Sequence, residues 1–140
     1  MTYGEKMDIL MKYRRTDKRI GCLMEEKVVW MERATSVNQV YRQVPSTGSG
    51  GPGKILSAVE KMDEIDREIT EEIDKLADLR KIVNLGIRRV SDDKLQDILR
   101  YRYLLGMTWT QVADKMEMDE RWVRRLHVRA VTQLTLESPP

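Results

Sequence analysis

Four arginines near the C-terminus, Arg121, Arg124, Arg125 and Arg129, lie in the stretch MDERWVRRLHVRAVTQL. At about 100° per residue on a helix, Arg121, Arg125 and Thr132 project directly away from an apolar stripe of Val123, Leu126, Ala130 and Leu134, with Arg124 and Arg129 on its flanks. A guanidinium presents forked donors that fit phosphate oxygens and the O6/N7 edge of guanine. With Thr110, Gln111, Glu120 and Trp122, these arginines make up the candidate DNA-contacting set, and Arg124 or Arg125 is the expected base reader. Trp122, on the edge of the same helix, is placed either to meet a thymine methyl or sugar or to pack on a neighbouring helix.

A second stretch could do different chemistry. GSGGPGKIL, residues 48–56, fits the first three fixed places of a phosphate-binding loop, G-x-x-x-x-G-K-[ST], through Gly48, Gly53 and Lys54. Ile55 stands where the magnesium-liganding hydroxyl belongs, and the stretch follows a polar linker and a helical pattern where such a loop needs a strand. The glycines are therefore read as a chain reversal between two helices, with no nucleotide cofactor.

Three short helices must carry the arginine row. Ser91 is the expected N-cap of the first, with Asp92 and Asp93 in its opening turn, Leu95, Ile98, Leu99 and Leu105 facing inward, and Gly106 at its far end. Thr108 caps the second, residues 109–116, whose inward residues are Val112, Ala113 and Met116. After the tight turn at Glu117 and Met118, Asp119 is expected to cap the third. Two helices joined by so short a turn, with small Ala113 at their crossing, make a helix-turn-helix.

The chain before this unit reads as two long helices. In residues 4–37, Met7, Leu10, Met11, Ile20, Leu23, Met24, Val28 and Met31 recur at threes and fours, and Asn38 is a reasonable stop. Residues 39–53 are rich in Gly, Pro, Ser and Thr and form the linker. From Ile55 through Val59, Met62, Ile65, Ile69, Ile73 and onward to Val90, apolar residues recur at a mean of about 3.5, the spacing of a coiled-coil seam. Gly86 is the expected bend, and the carboxylates between seam positions form an acidic solvated face. The organisation is thus a helix over 1–38, a linker over 39–53, a coiled-coil helix over 54–90, the helix-turn-helix unit over 91–136 and a tail over 137–140.

Composition limits the alternatives. With 41% hydrophobic and 34% charged residues and no Phe, the usage is that of amphipathic helices. No apolar run reaches the roughly 20 residues that span a bilayer, and the N-terminus lacks the order of a secretory signal, so a cytoplasmic location with no membrane partner is expected. One histidine and one cysteine cannot assemble a zinc set, and no nucleophile and base or paired inward carboxylates appear, so neither a metal nor an enzymatic activity is expected. Cys22 is read as a small buried hydrophobe, Trp109 as core, His127 as packed or phosphate-facing, and the nine methionines as core filler. A net charge of +2 leaves any nucleic-acid face to local segregation of charge.

The stretch MTWTQVADKMEMDERWVRRLHVRAVTQL resembles region 4 of sigma-70-type factors: Thr108, Trp109, Val112, Ala113, Met116, Met118, Val123, Leu126, Ala130 and Leu134 fall on its pattern, with Asp119 replacing the usual Ser. Over nearly the whole chain, the order YRRTDKRI, ATSV, Gly-rich linker, VEKMDEIDREITEEIDKLADL and RYRYLLGMTWTQVA is similar to small phage and prophage proteins of Gram-positive hosts, distant relatives of region 4 and of ArpU-like late-gene regulators. The resemblance implies an all-α fold, a long antiparallel helical hairpin followed by a region 4-like helix-turn-helix unit. It also implies a phage-encoded transcription regulator with duplex DNA as partner. Since no stretch resembles the aromatic-rich sigma segment that opens promoters, an activator or accessory factor with RNA polymerase as a further partner is expected, and the apolar surface left on the hairpin makes a homodimer the expected state. The other reading open at this point is a protein-interaction module acting through the acidic hairpin.

Overall fold

The computed structural model describes residues 1–43 and 51–138, and side chains over 1–36 and 53–138. Five α-helices and no strand appear among them: α1 (Tyr3–Gln43), α2 (Gly51–Arg88), α3 (Asp93–Leu99), α4 (Trp109–Met116) and α5 (Glu120–Gln133), with a π-helical turn, Arg100–Leu104, continuing α3. None of the described helices is long and apolar enough to cross a membrane.

Helix α1 begins with a reciprocal cap: Thr2 Oγ1 accepts from the Glu5 amide and Glu5 Oε2 accepts from the Thr2 amide. It runs past the stop expected at Asn38, and α2 starts at Gly51, ahead of the expected Lys54, so the ends of the expected linker are helical. Residues 44–50, which hold the first glycines of the phosphate-loop-like stretch, lie outside the described residues. Asn is only a permissive stop, and a stop signal yields when the following residues continue the helix.

The chain divides into two compact units, one of residues Met1–Asp17 with Lys75–Pro140, the other of Lys18–Asp74. In the first, Leu10 and Tyr13 of α1 and Val83 and Ile87 of α2 share one core with Ile98, Leu99, Val112, Val123 and Ala130 of the short helices. Burying each large apolar side chain contributes roughly 1.5–3 kcal/mol. The short helices thus complete their core with the start of α1 and the end of α2. Two cations of α1 tie this together: buried Arg14 donates from Nη1 to the carbonyls of Arg102 and Met107 (2.7 and 3.2 Å), and Lys6 Nζ donates to Val131 and Thr132 carbonyls at the C-terminal end of α5 (3.1 and 3.0 Å).

Gly86 sits two residues before the end of α2, which stays helical through it to Arg88. A Cβ there would meet Leu136 Cδ2 and the Thr135 carbonyl oxygen, each at 2.7 Å, so the glycine admits the chain that follows α5.

In the second unit, Ile20 and Leu23 of α1 and Ala58 and Ile65 of α2 are buried. The seam of α2 takes Ala58 and half-buried Glu72 where the sequence pointed to Val59 and Ile73, and both of those are exposed. A heptad seam alternates steps of three and four, which fixes 55, 58, 62, 65, 69 and 72 and turns 59 and 73 outward. On α1, Met24, Val28 and Met31 are exposed as well, and so is Cys22, which is not the buried hydrophobe expected.

Candidate nucleic-acid interface

The row of arginines depends on how α3, α4 and α5 are started and stopped. Asp92, one residue later than the expected Ser91, caps α3: its Oδ1 accepts from the Lys94 and Leu95 amides at 2.8 and 3.3 Å. The π turn then adds a residue to the ladder, with the Leu105 amide donating back to the Arg100 carbonyl at 2.9 Å. This one-residue shift puts Tyr103 in the core and leaves Leu105, the expected inward residue, exposed. Gly106 at φ 68 reverses the chain.

Thr108 caps α4 as expected, in a capping box. Its Oγ1 accepts from the Gln111 amide (3.2 Å), and Gln111 Oε1 accepts from the Thr108 amide (2.9 Å). Helix α4 ends at Glu117, held left-handed at φ 55 and ψ 44, and the Met118 amide returns to the Ala113 carbonyl at 3.1 Å. Asp119 occupies the N-cap position of α5 with extended backbone, but its side chain makes no cap bond, contrary to expectation; its carbonyl begins the helix by accepting from the Val123 amide.

Val112 and Ala113 of α4 and Val123, Leu126 and Ala130 of α5 are buried where these helices meet. Behind them His127 is buried, with Nε2 2.7 Å from the Tyr103 hydroxyl and its ring at the edge of half-buried Trp109, centroids 4.7 Å apart. Burial, helped by the positive charge of Arg102, lowers the His127 pKa to about 4, so the imidazole is neutral near pH 7. Burial likewise pushes the Tyr103 phenol up to about 12. Of the two roles expected for His127, the structure selects packing.

The outward face of α5 carries Arg121, Arg124, Arg125 and Arg129, all exposed, against one acidic residue in the helix, Glu120. Arg124 is already engaged: Nη2 donates to Glu120 Oε1 at 3.0 Å, and its guanidinium lies over Trp109, 5.4 Å from the ring centroid. Glu120 Oε2 also accepts from Thr110 Oγ1 at 3.4 Å, which links the starts of α4 and α5. Gln111 is exposed but its carbonyl is spent in the capping box. Among the described residues, no carboxylate pairs with Arg121, Arg125 or Arg129. Three guanidiniums therefore face solvent with free donors, and Arg124 is held at their edge.

Trp122 is 45% exposed on the edge of α5, beside the arginines. Two further residues, outside the candidate set, stand near this row. Val128 is 50% exposed among the arginines at 124, 125 and 129, an apolar residue three positions after Arg125 that helical spacing could have singled out. Arg102, expected with Tyr101 as an alternative at the edge of the inward stripe, is half-buried: it stacks on Trp109, centroid distance 4.3 Å, and donates to the Met107 carbonyl, leaving its buried Nε without a partner. Among the described residues no group of His, Cys, Asp or Glu is placed to hold a metal ion.

What this arrangement can do chemically is hold several anionic oxygens along one helix face and present donors to flat, acceptor-rich edges beside an apolar spot. No curated protein and no solved structure matches the chain. Residues 92–135, the stretch that holds α3, α4 and α5, match the family model described as sigma-70, region 4.

Proposed function

We propose that the chain is a phage-encoded transcription regulator that binds double-stranded DNA by inserting α5 into the major groove. The observation that carries this reading is the unpaired row of Arg121, Arg125 and Arg129 on the exposed face of the second helix of a capped helix-turn-helix, inside the stretch that matches sigma-70 region 4. In this reading Arg121 and Arg125, which point directly away from the core in the first two turns of α5, reach base edges, with Trp122 and Val128 against methyls or sugars. Arg124, Arg129, Thr110 and Gln111 meet phosphates and set the docking angle, and Glu120 holds Arg124 in place.

In this reading the protein works as an activator or accessory factor that contacts RNA polymerase. A homodimer through the hairpin, expected from the sequence, would oppose two acidic α2 surfaces; the reading proposed here needs only one chain. Sequencing the fragments that the purified protein retains from its own genome tests the assignment. Enrichment of a shared motif upstream of genes supports it, and uniform recovery of all sequences by folded protein overturns it.

A further inference from the structure

The unit Lys18–Asp74 carries a surface that DNA binding does not use. Its two helices run antiparallel. Trp30, Arg33 and Ser36 of α1 line one cleft with Lys54, Ser57 and Ala58 of α2, and Lys27 Nζ lies 2.9 Å from Asp66 Oδ1. The inward positions are 20, 23, 27, 30 and 34 on α1 and 55, 58, 62, 65, 69 and 72 on α2, all buried or half-buried. In an antiparallel pair, the residue that follows an inward position turns to the same side in both helices, because reversing the chain direction and facing the opposite way each invert the sense of rotation.

That rule gathers Met24, Val28, Met31, Leu56, Val59 and Ile73 on one side of the pair. They are 50, 50, 49, 60, 40 and 45% exposed. Val29 is the one other exposed large apolar side chain between residues 18 and 74 among those described, and it turns away. An apolar strip with small Gly21 beside it, rather than scattered single residues, marks an interaction surface.

Charge decides what covers it. On this side and along its outer edges stand Glu25, Glu32, Glu60, Asp63 and Asp74 against Lys18 and Arg67, all exposed, so the rim stays net acidic, while Asp66 is neutralised by Lys27. A second copy would bring the same acidic rim against itself, and like charges across an interface oppose association. We propose that this face docks an amphipathic helix of a partner protein, one apolar stripe flanked by Lys and Arg. The mode is helix-in-groove recognition, and its methionines supply the adaptable contact. The inference goes beyond DNA binding and does not depend on it.

The test uses the full chain and two synthetic helical peptides of about three heptads with the same Leu stripe, one flanked by Lys and Arg, the other by Glu. The basic-flanked peptide is expected to bind saturably, at least about tenfold more tightly than the acidic one. Val28→Glu and, separately, Met31→Glu should weaken it by about tenfold or more, although each adds a negative charge that would strengthen unspecific attraction. Both positions are half exposed, so circular dichroism should be unchanged and DNA affinity unaffected. Equal binding of the two peptides, indifference to Val28→Glu, or no binding would overturn the proposal. So would a dimer in sedimentation that Val28→Glu dissociates, because a second copy would then be the occupant.

Discussion

The hydroxyl of Tyr103, in the π turn after α3, lies 2.7 Å from Nε2 of His127, in the middle of α5. One buried hydrogen bond therefore joins the segment that precedes the helix-turn-helix to the helix that carries the arginines. Because the imidazole pKa falls to about 4 in the fold, from about 6.5 when exposed, the unfolded chain binds more protons between those values.

The first prediction follows from that sign. The stability tied to neutral His127 is fully present above about pH 6.5 and is lost as pH falls toward 4, on the order of 2–3 kcal/mol. Urea unfolding at pH 7.5 and 4.5 should show the loss, and His127→Gln should flatten the part of the curve between pH 6.5 and 4. An unchanged slope in the variant would mean that carboxylates alone set the acid sensitivity.

Tyr103→Phe should cost about 1–3 kcal/mol, the penalty for leaving a buried polar nitrogen without a partner. Thermal unfolding at neutral pH checks it. A loss of only a few tenths would show that water replaces the phenol.

Gly86→Ala should destabilise the first compact unit by about 1–3 kcal/mol, because the added methyl meets a backbone carbonyl that cannot rotate aside. The ordinary expectation for Gly→Ala inside a helix is a gain of roughly 0.5–1 kcal/mol, so the sign of the measured change decides between close approach and mere flexibility.

Glu117→Gly should act in the opposite direction. Its left-handed backbone at φ 55 favours glycine, and relief of the strain should stabilise by roughly 0.5–1 kcal/mol with DNA binding unaltered. Denaturant midpoints for the two proteins measure this, and a drop in stability would point to an unrecognised role of the carboxylate.

Much of the interface was legible because caps and turns are local. Thr108 caps α4 and the bounds of α4 follow from it, although Asp92 caps α3 in place of Ser91 and the Asp119 side chain makes no cap bond; Ala113 with Val123 and Leu126 falls on the helical period. What stayed hidden is non-local or arises from a change of period. The π turn cannot be told from an α-helix by spacing, which puts Leu105 inward and gives no sign of Tyr103. The seam of α2 contains Glu72 and Ala58, and a search for apolar residues slides to Ile73 and Val59 instead. The closeness of Gly86 to Leu136 and the clamp of Lys6 on the end of α5 join residues far apart in the chain, where no local pattern records them.

The most direct measurement is the salt dependence of duplex binding by fluorescence anisotropy, for the unaltered protein, Arg125→Ala and Arg129→Ala, with the selected site and a scrambled duplex. Arg125→Ala should cost roughly 1–3 kcal/mol on the selected site and little on the scrambled one. Arg129→Ala should weaken both alike and lower the salt slope by about one. Binding that is absent, or that ignores both substitutions at every salt concentration while the protein stays folded, would contradict the proposed DNA recognition.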